Sequence, residues 1–285
     1  MKYVLYNNFS GDGRGEEIAK GLASVYGEDM TVVNMVELES LADYAAALGE
    51  DDSLVICGGD GTLNRFVNDV DTENINAKVF YFPAGTGNDF ATDIGIHDTT
   101  EPVDITEYTK NLPTVVVNGK TYKYINGVGF GIDGYCAAVG DDIKASGKVP
   151  NYTSIAIKGI LFAYKPTNAT VIVDGVEHTF KKAWLAPAMF GRHYGGGMIA
   201  APCQKRDSGE ITVMLFSGKG RLATLIAFPS IFKGEHVKNK MVTVMSGKEI
   251  TVKFDRPTPL QIDGETILGV TEYTAYAPKK VTETV

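Results

Sequence analysis

Cysteine, histidine and tryptophan are scarce in this chain of 285 residues, with three, four and one copies respectively. Cys57, Cys136 and Cys203 lie too far apart to form a CxxC metal or redox pair. An odd count without framework spacing predicts reduced thiols and a cytoplasmic setting. His97, His178, His193 and His236 show no metal-ligand spacing, which predicts surface or structural roles for all four. The longest apolar stretches, 155–164 and 222–232, fall well short of the roughly 20 residues that a membrane-spanning helix needs. The opening MKYVLYNNFSG turns polar at Asn7 before a signal-peptide core forms, so the expectation is a soluble protein. Cations are in deficit, 27 Lys and Arg against 35 Asp and Glu, for a net charge of −8. That balance disfavours nucleic acid as a partner, and any visit to a bilayer must rest on a local apolar or basic face.

Apolar material is ample, at 44% hydrophobic and 22% charged residues, and the length suits about two domains. From Met1 to about Tyr108 short buried runs alternate with helical spacing. Tyr3–Tyr6, Thr31–Met35, Leu54–Cys57 and Val79–Phe82 read as strands; Ile18, Leu22 and Val25, then Leu41, Tyr44, Ala45 and Leu48, read as helix faces. This alternation predicts a parallel sheet covered on both faces, a three-layer α/β domain. Beyond Pro113 the cues are those of antiparallel hairpins. Asn118-Gly119 and Asp174-Gly175 each sit between β-like runs and suit the positive φ values of a type I′ turn. The predicted organisation is an α/β domain over 1–110 and a β-rich sandwich over 111–285, with the last residues free to return to the first domain.

The segment SLVICGGDGTLN runs a buried strand into Gly58-Gly59-Asp60-Gly61-Thr62 and a helix beginning at Leu63. Glycines there let backbone N–H groups approach a phosphate, and the helix N-terminus adds its positive end. A carboxylate inside such a turn would repel bare phosphate, so Asp60 makes sense facing Mg²⁺ or a hydroxyl. Equally, Asp60 is an Asx or N-cap residue of a tight turn. A second turn of this kind, YFPAGTGNDFA, offers Gly85, Thr86 and Asn88 as neutral donors to phosphate oxygens and Asp89 as a second carboxylate; its other reading is a capped loop. The loop from Asn7 to Gly15 also follows a strand and is placed to close over the same ligand.

Together GGDGTLN (58–64), PAGTGNDFA (83–91), INGVGFGID (125–133), GGGMIAAP (195–202) and IDGE (262–265) resemble, in order and spacing, the soluble bacterial diacylglycerol kinases and their lipid-kinase relatives. GGDGT by itself is shared with NAD kinases, so the later motifs decide the branch. The resemblance implies ATP bound at the junction of the two domains and transfer of its γ-phosphate to a lipid hydroxyl. It puts Asn7, Asn8, Phe9, Ser10 and Gly11, then Gly58, Gly59, Asp60, Gly61, Thr62, Leu63, Asn64 and Arg65, then Gly85, Thr86, Asn88 and Asp89 at the nucleotide. Asp263 and Glu265 fall where the family has its catalytic base, one deprotonating the acceptor and the other supporting it, with Asp60 as a further catalytic carboxylate. By composition alone Asp263-Gly264 is equally a hairpin turn.

Three residues depart from the family pattern. Asn8 replaces a proline in the first loop, Asp12 stands where a basic residue is common, and Ser208 replaces an Asp that helps hold a structural Mg²⁺. Asp207, Ser208 and Glu210 remain the candidate ligands for that ion. The implied function is an ATP- and Mg²⁺-dependent lipid kinase making phosphatidic acid. Its rivals are a kinase of a soluble acceptor such as NAD, and a nucleotide- or lipid-binding protein without catalysis. The implied partner is a lipid at the inner membrane face, visited transiently and peripherally, with nucleic acid excluded and a homodimer left open. Ile155, Ile157, Ile160, Leu161 and Phe162, and Leu222, Leu225, Ile226, Phe228, Ile231 and Phe232, are either core or the apolar faces for that visit, with Pro229 interrupting a continuous helix.

Overall fold

The computed structural model describes residues 1–8, 13–85, 87–97 and 100–279. Contacts divide the chain into two compact units, Met1–Leu112 and Pro113–Val285. The first holds β1 (Lys2–Tyr6), α1 (Gly15–Gly21), α2 (Ala23–Tyr26), β2 (Met30–Asn34), α3 (Leu41–Ala46), β3 (Ser53–Gly58), α4 (Asp60–Asp69), β4 (Lys78–Pro83), α5 (Asp89–Asp93) and β5 (Val103–Asp104). Its sheet runs β2-β1-β3-β4-β5. The first four strands are parallel, and only β5 lies antiparallel, on β4. Successive side chains alternate between faces. Val4, Tyr6, Val55 and Cys57 therefore share one face, where Ala19 and Leu22 pack on them. Leu54 and Ile56 point the other way and are equally buried, which is why β3 reads as a continuous apolar run.

The strand order has a functional consequence. From β1 the chain crosses outward to β2, while from β3 it crosses the opposite way to β4. The topological switch point therefore lies between β1 and β3, at the carboxyl ends of the strands, where open α/β sheets bind ligands. In-register pairing of Tyr6 with Cys57, and of Gly58 with Pro83, brings Asn7 and Asn8 and the two glycine turns after β3 and β4 to that same edge.

The second unit comprises β6 (Thr114–Val117), β7 (Lys120–Lys123), β8 (Gly127–Gly131), α6 (Ile132–Ala145), α7 (Tyr152–Lys158) with a π turn at Gly159–Ala163, β9 (Thr167–Val173), β10 (Val176–Ala183), β11 (Leu185–Met189), β12 (His193–Tyr194), β13 (Met198–Ile199), β14 (Ile211–Phe216), α8 (Arg221–Ala227), β15 (Val242–Gly247), β16 (Glu249–Ile262) and β17 (Glu265–Tyr276). Its large sheet is antiparallel throughout, and β16 organises it. Residues 250–254 of this strand pair with β9, whereas residues 260–262 pair with β8. Between them a register shift spanning Pro257 and Pro259 bends the strand, as bulges do where one strand serves two parts of a sandwich. The asparagine and aspartate hairpins form where composition predicts them, with φ of 50° and 76° at Asn118-Gly119 and 47° and 83° at Asp174-Gly175.

Helix α6 lies against the bent strand because Gly134 has no side chain. A Cβ there would overlap the carbonyl oxygen of Pro259. Helix propensity alone favours Gly134→Ala by about 1 kcal/mol. Overpacking against fixed backbone costs about 1–3 kcal/mol or more. We expect the clash to win, so that G134A lowers the denaturation midpoint; a raised midpoint would show that α6 can shift off β16.

Candidate active site

In the first unit, glycine decides how closely two turns approach. Cα of Gly59 and Cα of Gly85 are so near that a Cβ on Gly59 would stand 3.0 Å from the backbone of Gly85, and one on Gly85 would overlap Gly59. Asp60 then joins the two turns. Its Oδ2 accepts from the N–H of Asp89 at 2.8 Å and its Oδ1 from the N–H of Phe90 at 2.9 Å. The carboxylate thus caps the first turn of α5 while standing at the first position of α4, where helix-dipole charge also favours it. Asn88 sits in the left-handed region at φ 46°, which asparagine tolerates well. Its amide accepts from the N–H of Gly85 at 3.0 Å and donates to the carbonyl of Gly85 at 2.7 Å, closing its own turn.

Of the other residues expected at a nucleotide, Thr62 and Asn64 are buried in α4 and Leu63 is core, leaving Leu63 only its backbone for a ligand. Arg65 is exposed and pairs with Asp69 at 3.3 Å. Gly58 has no room for a side chain beside Thr62, and Asp89 is buried behind its turn. Asn7 and Asn8 follow β1 at the same sheet edge. Phe9, Ser10, Gly11, Asp12 and Thr86 lie outside the described residues, as do residues 280–285.

The second unit builds a polar cluster on the turn between β16 and β17. Asp263 and Gly264 take φ of 46° and 95°, so IDGE is a type I′ hairpin, with Ile262 paired to Glu265. Composition accounts for that much. The side chain does something else as well: Oδ2 of Asp263 accepts from the N–H of Ile125 at 2.6 Å, and Oδ1 accepts from those of Asn126 and Gly127 at 2.8 and 2.9 Å. The turn is thereby fastened to the INGVGF segment. Arg206 secures the other side of that segment, donating to the carbonyl of Ile125 at 2.6 Å and to Oδ1 of Asn126 at 3.1 Å. Gln261 accepts from the N–H of Gly264 at 2.7 Å and donates to Oδ2 of Asp133 at 3.1 Å. Glu265 is exposed beside this fastened turn.

Asn126, Asp133, Arg206 and Gln261 received no role from the sequence. INGVGFGID was the one available signal, and it contains two of them. Arg192 and His193 are half-buried, next to three successive glycines, 195–197, with φ of 65°, 79° and 101°.

Burial pushes the Asp133 carboxyl up to about 8, with the Gln261 hydrogen bond pulling the other way. A carboxyl whose folded value exceeds its unfolded value of 3.8 binds more protons when folded, so stability falls as pH rises between those values and levels off above about 8. Between those values the slope approaches about 1.4 kcal/mol per pH unit, that of one proton. Asp133→Asn should flatten the stability profile between pH 4 and 8 in denaturant titrations. A profile unchanged by the substitution would refute a protonated Asp133.

The metal expectation fares differently. Among the described residues no group of three or more His, Cys, Asp or Glu converges to hold an ion. Ser208 uses its hydroxyl within its own turn, donating to the carbonyl of Lys205 at 2.8 Å and accepting from the N–H of Glu210 at 3.2 Å. Ser208 thus brings no charge to the candidate Mg²⁺ site, and Asp207 and Glu210 are its two carboxylates, a number that suits an ion which keeps several of its waters.

The family model described as the diacylglycerol kinase catalytic domain matches residues 2–117, and the YegS C-terminal NAD kinase beta sandwich-like domain matches residues 126–282. A diacylglycerol kinase of Mycobacterium tuberculosis is 27% identical over 265 residues, covering 88% of this chain and 84% of that one. A diacylglycerol kinase of Bacillus subtilis is 27% identical over 229 residues, covering 77% and 73%. The crystal structure of a diacylglycerol kinase from Bacillus anthracis superposes with a TM-score of 0.61 at 17% identity, covering 97% of this chain and 94% of that one, a likeness of fold. With one unit matched by each of two models that together span nearly its whole length, the chain belongs to the lipid kinase family defined by the diacylglycerol kinase catalytic domain and the YegS-type β-sandwich.

Proposed function

We propose that the protein transfers the γ-phosphoryl group of ATP to the free hydroxyl of diacylglycerol, giving phosphatidic acid and ADP. The observation that carries this reading is the pair of glycine turns at the switch point of the first unit, locked together by Asp60. Backbone approach at Gly58, Gly59 and Gly85, with the N-terminus of α4 behind them, suits a polyphosphate and leaves no room for side chains. Asn7, Asn8, Gly61, Thr62, Asn64, Arg65, Asn88 and Asp89 complete the nucleotide side in this reading, together with Phe9, Ser10, Gly11 and Thr86. Mg²⁺ arrives with the triphosphate as part of the substrate and neutralises charge on its oxygens.

On the acceptor side, Glu265 takes the hydroxyl proton while the oxygen attacks phosphorus, and the bond to the ADP oxygen breaks. A primary alcohol near pKa 16 gives up its proton only as the new bond forms, so an ordinary positioned carboxylate serves. Asp263, with both oxygens engaged by backbone N–H groups, holds the turn that presents Glu265.

Incubation with ATP, Mg²⁺ and diacylglycerol in mixed micelles tests the proposal. Labelled phosphatidic acid well above a Glu265→Gln control is the expected product. ATP-dependent conversion of NAD to NADP, with no lipid product, would sink it.

A further inference from the structure

The bend in β16 leaves room beside it. Where residues 256–259 pass the chain that leaves the π turn, a cavity of about 210 Å³ opens, walled by Tyr135, Tyr164, Lys165, Arg256, Thr258 and Pro259 among others. The wall holds two cations and no carboxylate. Nη2 of Arg256 donates to the carbonyl of Lys165, which draws the bend to the chain beyond the π turn. Among the described residues neither cation is joined to an acid. Asp255, next to Arg256 in the strand, is engaged elsewhere: it accepts from Nδ2 of Asn168 at 3.0 Å and from the N–H of Asn168 at 3.4 Å.

Tyr164 adds an unanswered hydroxyl. The residue is 5% exposed, and its buried oxygen meets no hydrogen-bond partner. Buried polar atoms are almost always satisfied, so an exception asks for an ordered water, an ion or a ligand. The ring is packed between those of Tyr135 and Trp184, at 6.1 and 6.0 Å between centroids, which fixes where the hydroxyl stands. Burial pushes this hydroxyl up to about 12, against the pull of the Arg256 guanidinium beside it, so it keeps its proton and can donate at neutral pH.

Three donors around one cavity free of acids match an anion with several oxygens. Arginine meets phosphate with a fork of two N–H groups. A carboxylate has two oxygens to share among three donors, whereas a phosphate monoester has three and carries nearly two negative charges at neutral pH. A water takes up about 30 Å³ of liquid, so 210 Å³ holds a phosphoryl group and a short carbon chain against the rings of Tyr135 and Pro259.

We propose that this cavity is a binding site for a phosphate monoester, with Arg256 and Lys165 meeting its charge and the Tyr164 hydroxyl donating to a phosphoryl oxygen. Its residues all belong to the second unit, whereas the glycine turns belong to the first. The site does not depend on the lipid-kinase reading.

The test titrates the full chain with glycerol 3-phosphate, read by calorimetry and by the fluorescence of Trp184, the one tryptophan of the chain, whose ring neighbours that of Tyr164. Glycerol 3-phosphate should bind more tightly than inorganic phosphate, and glycerol should not bind. Tyr164→Phe is the deciding variant, because it removes only the hydroxyl. Without ligand it should melt no earlier than the wild type, since no hydrogen bond is lost. It should bind the ester about tenfold or more weakly, the scale of one hydrogen bond to a charged acceptor. Lys165→Gln, at an exposed position, should lose up to about fivefold. Saturating ADP with Mg²⁺ should leave these affinities as they are. Dihexanoyl phosphatidic acid, dissolved as monomers, separates the two sources of such an ester: binding tighter than that of glycerol 3-phosphate assigns the site to a lipid headgroup, and weaker binding to a soluble metabolite. The proposal is overturned if the wild type binds no ester at millimolar concentration, if ADP displaces the ester, or if Tyr164→Phe binds it equally. It is also overturned if that variant melts earlier without ligand, which makes the hydroxyl part of the fold. Ester binding by a protein that phosphorylates no lipid leaves this site standing and removes the kinase reading. Lipid phosphorylation without ester binding does the reverse.

Discussion

Replacing Asp60 with alanine should lower kcat/KM by about a hundredfold to ten-thousandfold, the range for a lost group that organises the reacting charges. Two hydrogen bonds to one carboxylate disappear, those from the N–H groups of Asp89 and Phe90. Bonds to a charged acceptor contribute about 1.5–3 kcal/mol each, so the first unit should also lose stability. The functional loss follows from position. Gly59 and Gly85 approach through backbone, and without Asp60 the second turn keeps the hydrogen bonds of the Asn88 amide but loses this tie to the first. The KM for ATP should rise along with the fall in kcat. Asp60→Asn should lie between, because its carbonyl can still accept one N–H while its NH₂ faces the other. Steady-state kinetics with varied ATP decides the matter; an alanine variant with unaltered ATP affinity and turnover would remove Asp60 from the site.

Glu265→Gln and Asp263→Ala should separate into two kinds of damage. Glu265 is exposed and close in shape to glutamine, so its substitution should leave thermal stability alone and cut kcat by about 10²–10⁴, the usual contribution of a general base. Asp263 is tied to three backbone N–H groups. Its removal leaves donors unsatisfied at about 1–3 kcal/mol each, and the β16–β17 turn comes loose from residues 125–127. That variant should melt earlier and lose activity with its fold. The assignment fails in the opposite case, a stable but inactive Asp263 variant beside an active Glu265→Gln enzyme.

The IDGE segment illustrates how far sequence carries. Asp-Gly between two β-like runs is enough to place a type I′ hairpin, and the observed φ values agree. Nothing local reveals that the same carboxylate fastens residues 125–127, since that contact needs β8 and β16 to be neighbours. The GGDG and GTGND turns show the same division. Buried runs closed by glycines announce the two turns themselves, but the hydrogen bonds from Asp89 and Phe90 to Asp60 require β3 and β4 to pair in register. Asn126, Asp133, Arg206 and Gln261 escaped the reading for that reason. Their hydrogen bonds link distant segments, and although INGVGFGID contains Asn126 and Asp133, its spacing gives neither a role. Ser208 was legible as a departure, and its hydroxyl bonded within its own turn gives the departure a physical form.

Sequence by itself determined the class of each unit, because hydrophobic period and turn dipeptides act over a few residues: alternating buried strands and helices to about Tyr108, and Asn-Gly and Asp-Gly hairpins beyond Pro113. It also determined the chemistry on offer, glycine turns with carboxylates, and the net charge of −8 that opposes a polyanionic partner. Only the tertiary structure decided which carboxylates brace turns and which stand exposed, and which side chains of the stretches 155–164 and 222–232 belong to the core. Those outcomes depend on which strands pair and which helix side faces a sheet. In the second stretch Ile231 is buried while Ile226, five residues earlier, is open to solvent, because α8 gives way to a 3₁₀ turn at Phe228 that re-aims the residues beyond it.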